Sequence, residues 1–153
     1  MQYSVFSQRP ADFSPSAEAS GCYIEWDGKV LFLRRCPHKY QGSFWGVPAG
    51  KLERQETPIE AVIREVREEI ALDIDNGTLE NIGILYVRLP HQDYLFHMFR
   101  SVFIDEPSIE LHLEENEEAR FVTYAEAIRL PLMVGAKEGL DHYQSWICKK
   151  TAK

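Results

Sequence analysis

The sequence predicts a layered α/β (α+β) sandwich, in which helices flank a mixed β-sheet. Three observations predict it. Strand-like runs outnumber helical ones and the two kinds alternate irregularly, a pattern that packs as layers. A hairpin signature stands early in the chain, at Asp27-Gly28. One long segment, 57–71, has strong helical periodicity.

Taken in order, residues 1–16 contain Pro10, Pro15 and several serines and read as a flexible N-terminal arm or a short edge strand. The regular domain is expected at 17–153. Residues 21–26 are rich in strand formers, Asp27-Gly28 is a tight-turn pair, and 29–35 is an apolar strand with a basic end; together they predict a hairpin. A loop follows over 36–44, then a short extended piece, 45–50. The helix at 57–71 has Thr57 as N-cap, Pro58 at the first helical position and Glu60 completing a capping box. Ile59, Val62, Ile63, Val66 and Ile70 form its apolar face. Strands are predicted at 82–88 and 94–103, loop or short strand at 113–120, a brief strand at 121–122, a short helix at 124–130 and a final amphipathic helix at 136–149.

Composition narrows the class. The 153 residues suit one domain, and 44% of them are apolar, enough for a core of that size. No apolar run reaches the length of a membrane span. The three cysteines, Cys22, Cys36 and Cys148, are odd in number and widely spaced. That disfavours a disulfide framework or a structural zinc site and points to the reducing cytoplasm. The net charge of −7 comes without a basic patch, which disfavours nucleic-acid binding. An acidic protein that handles phosphates needs cations to cancel the repulsion.

The helix suggests where such cations would sit. Glu65, Glu68 and Glu69 lie three and four residues apart, within roughly a quarter of the helix circumference. Like charges at these spacings repel by a few tenths of a kcal/mol per pair, roughly. Hard divalent cations such as Mg2+ or Mn2+, which prefer oxygen ligands, would turn that repulsion into binding. By spacing alone two readings stand, a solvated acidic face and a metal-binding face.

The wider register separates them. Gly50, five residues, Glu56, seven residues, then Arg64-Glu65-Val66-Arg67-Glu68-Glu69-Ile70-Ala71-Leu72 resembles the Nudix box. Every fixed position is met except one: Ala71 stands where the family has glycine. Trp45-Gly46-Val47-Pro48-Ala49-Gly50 resembles the family's approach to the box, with Ala49 in place of another glycine. The basic strand 30–35 and the segment 115–122 also resemble family segments. The likeness covers about residues 17–130, and the box is its specific part.

The resemblance implies a Nudix-like fold and metal-dependent hydrolysis of a diphosphate bond. The substrate class is a nucleoside diphosphate linked to another group: a nucleoside triphosphate, a nucleotide sugar or a dinucleotide. It implies Glu65, Glu68 and Glu69 as ligands of Mg2+ or Mn2+, with Glu56 and the Gly50 carbonyl as further candidates. Arg64 is expected to pair with Glu56 or another carboxylate and hold the helix in place. A later carboxylate, Glu115 ahead of Glu117 and Glu118, is the loop candidate for general base. Arg35, then Arg34, Lys51 and Lys39, would meet phosphates. Trp45, Phe44, Tyr86, Tyr94 or Phe96 would stack on a base. No histidine is assigned chemistry. The family also admits homodimers, and its other mode is a non-catalytic nucleotide sensor, which degraded box carboxylates would favour. The left-handed backbone that glycine supplies after a helix would cost Ala71 about 1 kcal/mol; the alternative is a helix running on to Leu72 or Asp73.

Overall fold

A computed structural model describes residues 2–152. Its centre is the hairpin of β2 (Pro15–Trp26) and β3 (Lys29–Arg35). Asp27 and Gly28 both have left-handed backbone, φ 53° and 70°, the geometry that matches the right-handed twist of two paired strands. β2 begins earlier than the sequence suggests because its first half pairs with a distant strand. Before it, β1 (Ser4–Phe6) lies on the sheet edge. After it come β4 (Trp45–Gly46), β5 (Ala49–Lys51) and α1 (Pro58–Ile70). β6 (Glu80–Arg88) and β7 (Asp93–Phe103) follow, then β8 (Asn116–Val122), α2 (Tyr124–Ala127) and α3 (Ala136–Thr151). The acidic run before Phe121 is thus mostly strand, joined to β3 along its length.

The eight strands form one mixed sheet in the order β1-β6-β7-β2-β3-β4, with β5 paired to β2 and β8 to β3. β2 and β7 run parallel and the other pairs antiparallel. Strand alternation divides the core. Cys22, Ile24, Leu31 and Leu33 pack with Val62, Val66 and Ile70 of α1. Tyr23, Val30 and Phe32 point the other way and pack with Leu140 and Tyr143 of α3. The sheet therefore lies between the two helices. No helix among the described residues is long and apolar enough to cross a membrane.

The ends of α1 follow its sequence signals. Thr57 and Glu60 make the reciprocal capping bonds at 3.2 and 3.0 Å. At the other end the helix does not run on to Leu72: Ala71 takes the left-handed conformation, φ 54°, and its N–H reaches the Arg67 carbonyl at 3.0 Å. The chain accepts the strain because the segment after it must turn back to the sheet. Ala71→Gly is expected to raise the unfolding free energy by about 1 kcal/mol, read as a higher denaturant midpoint at unchanged slope. A midpoint at or below that of the parent would mean the turn is strain-free with alanine.

The N-terminal residues are tied down by Arg88 at the end of β6. Its guanidinium lies 5.9 Å from the ring centres of both Phe6 and Phe13. It also bonds Asp93 at 2.8 and 3.0 Å, and Asp93 accepts the Ser14 N–H at 2.9 Å. Arg88 first, then the Ser14 N–H, holds the Asp93 carboxyl down at about 2, below its ordinary 3.8. A carboxyl lowered by folding contributes stability that is present above its unfolded value and lost as pH falls through its folded value. The melting temperature is expected to fall from pH 4 to pH 2 more steeply in the parent than in Asp93→Asn. Parallel curves would show that Asp93 adds nothing.

Candidate active site

The loop ahead of α1 is fixed on the sheet. β5 pairs with β2, Gly50 opposite Ser20. A β-carbon at Gly50 would meet the Glu65 carboxylate and push it from its present place. The loop then closes through the Glu56 N–H to the Glu53 carbonyl at 3.1 Å and the Glu53 N–H to the Glu56 carboxylate at 2.9 Å.

Arg64 knits this loop to the helix. Its Nε and Nη2 bond both oxygens of Glu56 at 2.7 and 2.9 Å. Its Nη1 reaches Glu65 at 2.8 Å and Glu68 at 3.2 Å, and Nη2 donates to the Lys51 carbonyl at 3.0 Å. The Arg64 hydrogen bonds lower the Glu56 pKa. Glu65 moves the other way: its burial outweighs the help of Arg64 and raises its pKa.

Glu69 is the buried member, 8% exposed. The Ala49 N–H reaches its carboxylate at 3.3 Å. Burial, then the negative charge of Glu65, raises its pKa well above the ordinary range; the Ala49 N–H and the Arg35 charge oppose this. The last turn of α1 is closed by a distant segment: Glu110 N–H donates to the Ile70 carbonyl and His112 N–H to the Glu69 carbonyl, both at 2.9 Å. These bonds satisfy helix-end carbonyls and bring Glu115 to the site.

Glu65, Glu68, Glu69 and Glu115, with Arg35 and His112, line one cavity of about 440 Å³. Four carboxylates face one arginine there, and burial raises the pKa of two of them, Glu65 and Glu69. Such a hard-oxygen donor set fits a divalent cation better than it fits solvent. Among the described residues no three His, Cys, Asp or Glu side chains are gathered closely enough to hold a metal ion; Arg64 holds Glu65 and Glu68. Glu115 is engaged as well, by Lys39 Nζ at 3.0 Å.

A second cavity, about 590 Å³, shares Arg35, Ala49 and Gly50 with the first. Its walls are largely apolar and aromatic, including Tyr94 and Phe96, with Lys51 near the shared end. Burial pushes the Tyr94 hydroxyl up to about 12.

Several candidates fall elsewhere. Trp45 is 3% exposed and belongs to the core beside α3. Arg120 and Arg34 cover its ring at 4.9 and 5.9 Å, so it has no face to offer a base. Arg34 lines neither cavity; it pairs with Glu117 and Glu118 at 3.2 and 3.0 Å. Neighbours on a strand point to opposite faces, which sends Arg35 to the carboxylates and Arg34 away. Glu56 lines neither cavity and serves Arg64 instead. Tyr86 packs edge-on to Phe13, and Phe44 is 42% exposed outside both cavities. Sequence reasoning missed His112 in the cavity wall; its place three residues before Glu115 was the one available signal.

A family model of the NUDIX domain matches residues 16–143. Among curated proteins, the chain is 39% identical over 61 residues to an 8-oxo-dGTP diphosphatase of Proteus vulgaris, covering 40% of this chain and 54% of that protein. The chain thus spans about half the length of that relative. It is 30% identical over 124 residues to an ADP-ribose pyrophosphatase of Methanocaldococcus jannaschii, covering 80% of this chain and 70% of that protein. Among solved structures, a MutT protein from Methanosarcina mazei Go1 superposes with a TM-score of 0.73 at 19% identity, over 92% of this chain and 99% of that one. That likeness establishes the fold.

Proposed function

Because the chain belongs to the Nudix family, we propose that it hydrolyses a diphosphate bond in a nucleoside diphosphate linked to another group, using Mg2+ or Mn2+. The observation that carries this reading is the convergence of Glu65, Glu68, Glu69 and Glu115 on one cavity that opens beside a larger apolar one. All the box carboxylates are present, which favours hydrolysis over sensing. The relatives' named substrates, 8-oxo-dGTP and ADP-ribose, share the diphosphate.

In this reading Glu65, Glu68 and Glu69 would hold the cation, with the Gly50 carbonyl as a further candidate oxygen. A bound divalent ion acidifies water and neutralises charge on the phosphates. Arg64 and Glu56 set the angle of the carboxylates and touch no substrate. Arg35 and Lys51 face the phosphates from the junction of the two cavities. Glu115 takes the proton from the attacking water, once Lys39 releases it. Water oxygen bonds to one phosphorus, the bridging oxygen leaves with the other, and a nucleoside monophosphate is among the products. Residues 17–153 act as one hydrolase domain, in the cytoplasm, where the free thiols of Cys22, Cys36 and Cys148 remain reduced. The family's homodimeric form is a further part of the proposal.

The test is a panel of nucleoside triphosphates, nucleotide sugars, ADP-ribose and dinucleoside polyphosphates, scored for released monophosphate with Mg2+, with Mn2+ and with chelator. Turnover on at least one compound, abolished by chelator, is expected. Silence on the whole panel would transfer the chain to the sensor class.

A further inference from the structure

The apolar cavity has a polar reader whose orientation the fold fixes. Gln41 lines it, and the side-chain Oε1 accepts the Val134 backbone N–H at 2.7 Å. A backbone N–H can only donate, so the amide oxygen must face Val134. What Gln41 presents on its other edge is therefore the –NH2 group, a donor without acceptor capacity.

The loop that carries Gln41 is built to hold it there. Gln41 itself has left-handed backbone, φ 57°, and Ser43 repeats this at φ 68°. Such conformations persist in non-glycine residues where surrounding bonds impose them, and they cluster at ligand sites. Here Gly42 N–H donates to the Lys39 carbonyl at 2.8 Å and Ser43 N–H to the Arg35 carbonyl at 2.9 Å. A second amide, Gln92, also stands in the cavity wall and pairs with the Ser16 hydroxyl at 3.2 Å; a hydroxyl can donate or accept, so only Gln41 has its orientation fixed. Glu18, an acceptor in the same wall, is engaged by His97 at 2.7 Å. The cavity thus offers one amide donor of fixed orientation, that of Gln41, while one oxygen of its Glu18 carboxylate is taken by His97.

We infer that Gln41 is a specificity-determining residue: the apolar cavity takes a neutral nucleobase, and the Gln41 amide donates to a carbonyl oxygen on the edge of that base, favouring carbonyl-bearing bases over those with an amino group at the same place. This rests on the nucleotide reading above. A site built to hydrogen-bond one group discriminates strongly against an analogue that lacks it. Uracil and cytosine differ by one such exchange, and so do hypoxanthine and adenine.

The test is binding, not turnover. Titrations of UMP, CMP, IMP and AMP, with magnesium present, compare the parent with Gln41→Glu and Gln41→Leu. The parent is expected to bind UMP over CMP, and IMP over AMP, by about tenfold. Gln41→Glu keeps an oxygen for Val134 but replaces the donor with an acceptor, so both ratios are expected to collapse or invert. Its added charge repels all four phosphates equally and cancels in the ratio. Gln41→Leu is expected to bring each pair to a common, weaker affinity. Melting curves confirm that the variants are folded. Equal affinities in the parent, unchanged ratios in a folded Gln41→Glu, or no binding of any of the four at millimolar concentration would each overturn the inference. Shifted ratios with no hydrolysis of the panel would leave Gln41 as base reader and remove the hydrolase reading alone.

Discussion

Glu69→Gln is expected to lower kcat by about 10³-fold while leaving the metal-free protein at least as stable as its parent. Both halves follow from the position of Glu69. It is 8% exposed and faces Glu65, so its ionised form is disfavoured by burial first and by like charge second. Glutamine has the same shape and a carbonyl oxygen that can still accept the Ala49 N–H. It removes the charge and supplies an amide donor that the neighbouring carboxylates of the same cavity can accept, and relieving a buried carboxylate of its like-charged neighbour costs no stability. The charge is what a cation would bind. Parent protein is expected to gain melting temperature as Mg2+ is added, because a ligand that binds only the folded state stabilises it. Glu69→Gln is expected to lose most of that gain along with turnover. Melts in chelator and in Mg2+, beside monophosphate release, decide it. Turnover equal to the parent's would remove Glu69 from the site. Loss of turnover with metal stabilisation intact would assign it to proton transfer instead of metal binding.

How much of this was legible in the sequence depends on how local the cause is. α1 was legible from its first residue because its cap, first-turn proline and apolar periodicity all lie within the segment, while its last turn stood between Ala71 and a run to Leu72 or Asp73. The box carboxylates were legible for the same reason, since helical spacing alone sets them on one side. β8 was legible only in part: Phe121-Val122 read as strand and the acidic half as loop or short strand, and that half pairs because β3 supplies partners from Val30 to Arg35. The parallel pairing of β2 with β7 extends β2 back to Pro15, and nothing near Pro15 announces it. Arg35 ranked ahead of Arg34 in the sequence, but both stood as phosphate partners until the sheet assigned their faces. Trp45 looked like a stacking platform, but its ring is enclosed between core and arginines. His112 and Gln41 escaped notice because each is positioned by a backbone bond to a distant segment, His112 to α1 and Gln41 to the turn before α3.

Arg64→Ala is expected to cost about 2–3 kcal/mol of unfolding free energy and to lower kcat by about 10²-fold. The stability loss comes from what is left behind. Arg64 is 21% exposed at its side chain, and its partners Glu56 and Glu65 are 12% and 15% exposed. Removing it strands two nearly buried carboxylates beside a third, which costs more than the pairs themselves contribute. Residual exposure keeps the loss below that of a fully buried pair. The catalytic loss comes from slack: the bond to the Lys51 carbonyl and the fork on Glu56 fasten the loop carrying Gly50 to the helix carrying the ligands. Lysine is expected to restore little, since it lacks the planar two-pronged donor. Arg67, three residues on, is the internal control. Its bond to Asp73 is as short, 2.7 Å, but the two side chains are 62% and 80% exposed, so Arg67→Ala is expected to change stability by less than about 0.5 kcal/mol. Adding Glu56→Gln to Arg64→Ala removes one stranded charge and is expected to recover part of the stability but little of the rate, a non-additivity that a double-mutant cycle reads directly. Equal costs for the Arg64 and Arg67 variants would make Arg64 a surface cation. Recovery of rate together with stability would mean that the charge balance of the site, not the fixed angle of its carboxylates, is what Arg64 supplies.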